Sequence, residues 1–215
     1  MTIWDYLTDS QTMGWLGTSL WLAGVPVVVG LLLALPVGWV ASRYRWTYPP
    51  IVGVFGILYT IPSLVLFLVL PGIIGTGILS PLNVAIGLTV YTVALLSRTV
   101  ADGLSSVSSD TLAAASAMGY TGLQRLMKVQ LPLAVPVIGA GVRVATVSNV
   151  SLVSVASLIG VSQLGSLFVE GYNQGSVPPT IAGLIWFIVI ALVFDALVLV
   201  GIRVLTPWQR AVRAR

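Results

Sequence analysis

The chain has 215 residues, 57% of them hydrophobic and 7% charged, with a mean hydropathy of +1.03; a soluble domain holds roughly a quarter of its residues as Asp, Glu, Lys or Arg, so that class is excluded. Ten basic residues against six acidic ones leave a net charge of +4 and a pI of 9.8, which in so apolar a chain reads as membrane topology rather than nucleic-acid affinity. The absence of Cys and His removes the usual ligands of zinc, haem and iron–sulfur clusters, together with the imidazole of a Ser–His or Cys–His nucleophile pair, so no metal site and few enzyme classes are expected.

Met1 to Thr12 is polar and mildly acidic, with Asp5 and Asp9 beside Trp4 and Tyr6, and is expected at a membrane surface. No basic residue precedes the first apolar stretch, so the n-region of a secretory signal is missing and the first span is expected to remain in the mature protein. Residues 10–42 and 46–97 carry no charge. Each run exceeds the roughly 20 apolar residues that cross a hydrocarbon core. The first holds a span over about 15–41, with Pro26 and Pro36 expected to kink it, and Arg43, Arg45, Trp46 and Pro49-Pro50 form an interfacial turn after it. The second run is too long for one helix; Pro71, Gly72, Gly75, Gly77 and Pro81 divide it into spans over about 51–70 and 82–98, closed by Arg98 and Asp102. A more polar stretch follows, then a fourth span over about 133–159 containing Arg143. Residues 160–180, rich in Gly, Asn and Pro, read as loop. The fifth span, about 181–204, contains Asp195, and Arg210, Arg213 and Arg215 lie in the tail.

With the N-terminus outside, nine of the ten basic residues fall on the cytoplasmic side, Arg143 lies in the membrane, and the outer segments hold only Asp5, Asp9 and Glu170. The positive-inside rule therefore predicts an all-α, multi-pass cell-membrane protein of about five spans, N-out and C-in, with residues 1–215 forming a single transmembrane domain.

The cytoplasmic stretch of about 103–132 is the informative one. Asp110 can cap a first helix, Gly119 can end it in a left-handed conformation, and Thr121 can cap a second that stops before Pro132. Ala113, Ala114, Ala115 and Ala117 would let another protein approach the first helix closely. By shape alone the loop could equally pack on its own bundle. The spacing from the Ala-Ala pair to Gly119, then to Val129, Leu131 and Pro132, resembles the EAA loop of ABC-importer permeases, which docks into the ATPase. Thr60-Ile-Pro62-Ser63-Leu64, Tyr91 to Arg98, Leu131 to Asn149, Leu158-Ile-Gly160 and Leu164-Gly165 extend the likeness to the glycine betaine, carnitine, choline and proline permeases, over roughly residues 15–205. Two departures stand out: Ala113 replaces the acid that opens the family loop, and Leu95 replaces a Pro of span three. The first fits an unequal permease pair in which the partner carries the fuller motif.

The resemblance implies a permease that imports small compatible solutes with energy from partner ATPase subunits, which bind ATP and Mg. It also implies a second permease, identical or homologous, and an extracytoplasmic substrate-binding protein that holds the high-affinity aromatic cage. This chain itself is expected to bind no cofactor and to contact lipid but no nucleic acid. A P-loop needs Gly-Lys-Ser/Thr, and the only lysine, Lys128, follows Met127. The rival readings are a stand-alone channel or secondary transporter, which would need its own coupling or selectivity groups in the membrane, and a non-transporting assembly subunit. Only Arg143 and Asp195 lie well inside spans, about 16 and 12 Å from the cytoplasmic side at 1.5 Å per residue, so they are expected to meet as a structural ion pair or a gate. Tyr59, Tyr91 and Trp186 are weak substrate-cage candidates, since aromatics at helix ends more often form the interfacial belt.

Overall fold

A computed structural model describes residues 2–208; the basic tail of Arg210, Arg213 and Arg215, which enters the orientation argument, lies outside them. The described chain is almost entirely helical: α1 (Ile3–Thr8), α2 (Ser10–Arg43), α3 (Tyr48–Thr60), α4 (Ser63–Ile74), α5 (Pro81–Ser105), α6 (Ser109–Ala117), α7 (Gly122–Arg125), α8 (Leu131–Val155), α9 (Ser166–Gln174) and α10 (Val177–Leu205). At the start, the Thr2 amide donates to Asp5 Oδ2 at 2.6 Å, and this bond holds the Asp5 carboxyl below its ordinary pKa.

Small residues set the packing of α2. Gly30, Ala34 and Gly38 form a four-residue repeat, and a Cβ at Gly30 or Gly38 would stand 2.4 Å from Thr92 Cγ2 or 2.6 Å from Val100 Cβ. Two helix backbones can approach this closely only where side chains are absent, the usual solution in lipid, where burial of apolar groups gives no driving force. Gly30 meets Thr92 and Gly38 meets Val100, so α2 and α5 run parallel. Helix α8 runs antiparallel to α5, with Gly103 against Ile138 and Gly141 against Thr99, and α10 antiparallel to α8, with Gly139 against Ile202.

Because α2 and α5 are parallel, the chain must return between them, and α3 with α4 makes that return. This corrects the expectation of one continuous helix over about 51–70. The two helices are bent by 100° at a short break. Ile61 precedes Pro62 and takes an extended conformation, φ −64° and ψ 127°, which the proline ring favours in its predecessor. The Tyr91 hydroxyl donates to the Ile61 carbonyl that the break exposes. Pro26 and Pro36, in contrast, lie within the continuous α2.

Three further boundaries differ from expectation. Ser108, not Asp110, caps α6, accepting from the Thr111 amide at 3.2 Å, while Asp110 sits in the first turn. The helix begun at Gly122 does not stop before Pro132: residues Leu126–Gln130 form a π turn that leads into α8. Pro132 then occupies the first turn of α8, where its missing N–H is tolerated. Residues 160–180 are not all loop, since α9 buries Leu167 and Gly171 and ends at Gly175, φ +58°.

Candidate functional site: the projecting α6–α7 elbow

The elbow between α6 and α7 is built by local hydrogen bonds. At the end of α6 the Gly119 amide donates to Ser116 O at 3.0 Å and the Tyr120 amide to Ala115 O at 3.2 Å. This is the Schellman pattern, and it requires the positive φ of +85° that Gly119 adopts. Two residues on, Gln124 N donates to Thr121 Oγ1 at 3.4 Å and Thr121 N to Gln124 Oε1 at 2.9 Å, a reciprocal capping box that starts α7. Arg125 Nη1 then donates to Ser116 Oγ at 2.6 Å, clamping the second helix to the first. Gln130 Nε2 donates to Leu104 O at 3.0 Å and ties the π turn to the end of α5.

The result is a stiff, outward-facing element. Ala113, Ala114 and Gly119 are exposed, Ala115 is buried, and Val129, Leu131 and Pro132 are half-buried at the root of α8. Met118 and Leu123 are 71% and 70% exposed, an apolar presentation that an element facing water alone would not favour. A cavity of about 350 Å³ lies at the root of the elbow, lined by Leu35 and Trp39 of α2, Leu104 of α5, and Leu126, Met127 and Leu131.

Arg143 and Asp195 come together. Arg143 Nε donates to Asp195 Oδ1 at 2.6 Å and Nη2 to Oδ2 at 2.8 Å, a two-pronged pair bridging α8 and α10. The planar guanidinium fork matches the carboxylate, which neutralises two charges that would each be costly alone in hydrocarbon.

The aromatic candidates do not converge. Tyr59 and Tyr91 meet edge to face, centroids 5.7 Å apart and planes at 89°. Tyr91 is buried with its hydroxyl engaged by Ile61 O, and the cleft they line with Ser148 and Asn149 has no room for a water-sized occupant. Trp186 does not line this cleft; it packs against the core that contains Leu22, Phe187 and Ile190.

Uncharged polar residues carry more of the architecture than their sequence positions announce. Asn149 Nδ2 donates to the buried Thr92 Oγ1 at 3.0 Å, joining α8 to α5 near the α3–α4 break. Asn83, fully buried, holds the 75–80 loop through the Gly77 carbonyl at 2.8 Å. Ser19 accepts from the Leu164 amide at 3.0 Å, fixing the segment before α9 onto α2. The signal available for these was their polarity inside apolar runs, where a buried amide or hydroxyl must find a partner.

Four helices, α2, α5, the helix running through the π turn into α8, and α10, are long and apolar enough to cross a membrane, and the bent α3–α4 pair makes a fifth crossing if it counts as one span; with a two-helix elbow projecting from one end, this is the architecture of a multi-pass membrane protein. Residues 12–203 match the family described as binding-protein-dependent transport system inner membrane component, and the chain belongs to that family. It is a multi-pass membrane protein and the transport subunit rather than the ATPase; membership implies an ATPase and a substrate-binding protein as partners. It is 33% identical over 191 residues to the osmoprotectant import permease protein OsmW of Salmonella typhimurium, covering 87% of this chain and 88% of that one. It is 31% identical over 183 residues to the choline transport system permease protein OpuBB of Bacillus subtilis, covering 85% and 83%. A chain of the MetNI methionine ABC transporter in an inward-facing conformation superposes with a TM-score of 0.79 at 21% identity, covering 91% of this chain and 96% of that one, which shows a shared fold.

Proposed function

We propose that this chain is the permease of an ABC importer for small compatible solutes of the glycine betaine, choline, carnitine and proline class. The observation that carries the reading is the near full-length similarity to the osmoprotectant and choline permeases, combined with an elbow whose exposed Ala113, Ala114 and Gly119 stand where a partner could engage them. In this reading the α6–α7 elbow is cytoplasmic and receives the ATPase subunits, which hold ATP and Mg, and the end bearing Asp5, Asp9 and Glu170 faces outward to the binding protein. A second permease, identical or homologous, completes the pathway, and the two bundles alternate access as nucleotide binding and hydrolysis move the elbows. Arg143–Asp195 is the internal strut that keeps α8 and α10 together during that motion. Purification in mild detergent tests the assembly: an ATPase should co-elute with the chain. Solute flux through liposomes containing this chain alone would instead establish a self-contained channel or secondary transporter.

A further inference from the structure

At the end of the bundle opposite the elbow, the end that the importer reading turns toward the binding protein, lies an open cavity of about 430 Å³. It falls within the roughly 300–1,000 Å³ span of small-molecule pockets. Its walls include Trp15 of α2, Ser157 and Ser166 on either side of the Gly160 turn, and Glu170, Asn173 and Gln174 of α9. Glu170 and Trp15 are both half-buried, and Gln174 Nε2, one turn on along α9, donates to Glu170 Oε1 at 3.0 Å. Among the described residues, the charged side chains of that end, Asp5, Asp9 and Glu170, are all acids.

We infer that this cavity is a reception site for the onium group of the solute, a quaternary ammonium held between the Trp15 ring face and the Glu170 carboxylate. The inference rests on the importer reading for its place in transport and adds a ligand class to the permease itself. The chemistry is selective in three ways. An indole face and a carboxylate both attract a cation, and an aromatic surface suits an ammonium that has no N–H to donate. An anion finds no basic partner there, and an uncharged solute gains nothing from Glu170. The hydroxyls of Ser157 and Ser166 and the amide of Asn173 remain to bond the hydroxyl or carboxylate at the other end of such a solute. Glu170 and Trp15 belong to elements held by Ser19–Leu164 and by the Tyr6 hydroxyl on Gln174 Oε1, 3.5 Å, so the two walls are positioned by the fold and not by the ligand.

The test uses the intact importer, purified without its binding protein, and saturation-transfer NMR from the protein to the methyl protons of choline. Its uncharged isostere, in which tert-butyl replaces trimethylammonium, is the control. Choline should give a signal that its isostere does not, and Trp15→Leu and Glu170→Gln should each lower it by about threefold or more while the ATPase still co-purifies. Equal signals from wild type and both variants, or from choline and the isostere, would overturn the site. So would a Glu170→Gln variant that keeps the choline signal but loses stimulation of ATP hydrolysis by the binding protein, since the cavity would then be a protein-docking contact. ATP-dependent uptake measured on the same preparation keeps the two readings apart: uptake without a choline signal removes the site alone, and a signal without uptake of any tested solute removes the importer reading alone.

Discussion

Gly119 is the residue on which the elbow turns. A Cβ there meets no atom within 4 Å, so the demand for glycine comes from its φ of +85° and not from space. A non-glycine residue in this region costs about 1–2 kcal/mol, and a β-branched one more. Gly119→Val should uncouple solute-stimulated ATP hydrolysis while membrane insertion stays normal, whereas Gly119→Asn, which tolerates the left-handed region, should retain most of it. Normal coupling in Gly119→Val would remove the elbow from the transmission path. Arg143 and Asp195 act as one unit by geometry, with the bidentate contact at 2.6 and 2.8 Å. Arg143→Ala and Asp195→Ala should each reduce folded yield more than the double variant does, with a coupling of roughly 0.5–3 kcal/mol. Strictly additive losses would mean that the pair contributes nothing beyond its separate residues. Their approach is readable in the sequence because Arg143 is the sole charge of its span, Asp195 is the sole acid of its own, with Arg203 at that span's end, and chain position converts to depth. The fork geometry is not, since it depends on how α8 and α10 rotate against each other.

At the scale of elements, the spans are legible because charge-free runs are long and the basic residues punctuate them. The break at Ile61–Pro62 is not. Pro26, Pro36 and Pro62 all sit in apolar runs, yet two lie inside a continuous helix and one ends it. What distinguishes the third is distant in sequence: the Tyr91 hydroxyl, thirty residues on, takes the carbonyl of Ile61. Tyr91→Phe should therefore loosen the α3–α4 corner, seen as faster amide exchange at residues 61–66, while the flanking helices stay protected. Unchanged exchange would show that proline geometry alone holds the bend. Helix α9 is hidden for a different reason: Gly171, Asn173 and the capping Gly165 and Gly175 read as loop, while its helical face is set by burial of Leu167. The α2–α5 contact gives a sharper contrast. Gly38→Leu would place atoms where Val100 Cβ already stands and should cost about 1–3 kcal/mol, visible as a lower melting temperature of the purified protein. Gly17→Ala, with nothing within 4 Å, should be silent in the same assay.

For the whole molecule, polarity is the organising feature. Among the described residues, one end carries Asp5, Asp9 and Glu170; the other carries Arg43, Arg45, Arg98, Arg125, Lys128 and Arg203, against only Asp102 and Asp110. Single cysteines at Thr8, Thr76 and Gln174 should react with an impermeant thiol reagent in intact cells, and one at Ser108 should not; labelling at Ser108 would invert the orientation. In the proposed function this chain forms, with an ATPase and a binding protein, a route for compatible solutes across the membrane. Uptake of radiolabelled choline and glycine betaine into proteoliposomes carrying the assembled importer measures it directly. Accumulation should require ATP on the elbow side and binding protein on the opposite side, and omission of either should abolish it. Accumulation that persists without ATP, or no uptake of any solute of the class with all components present, would contradict the account.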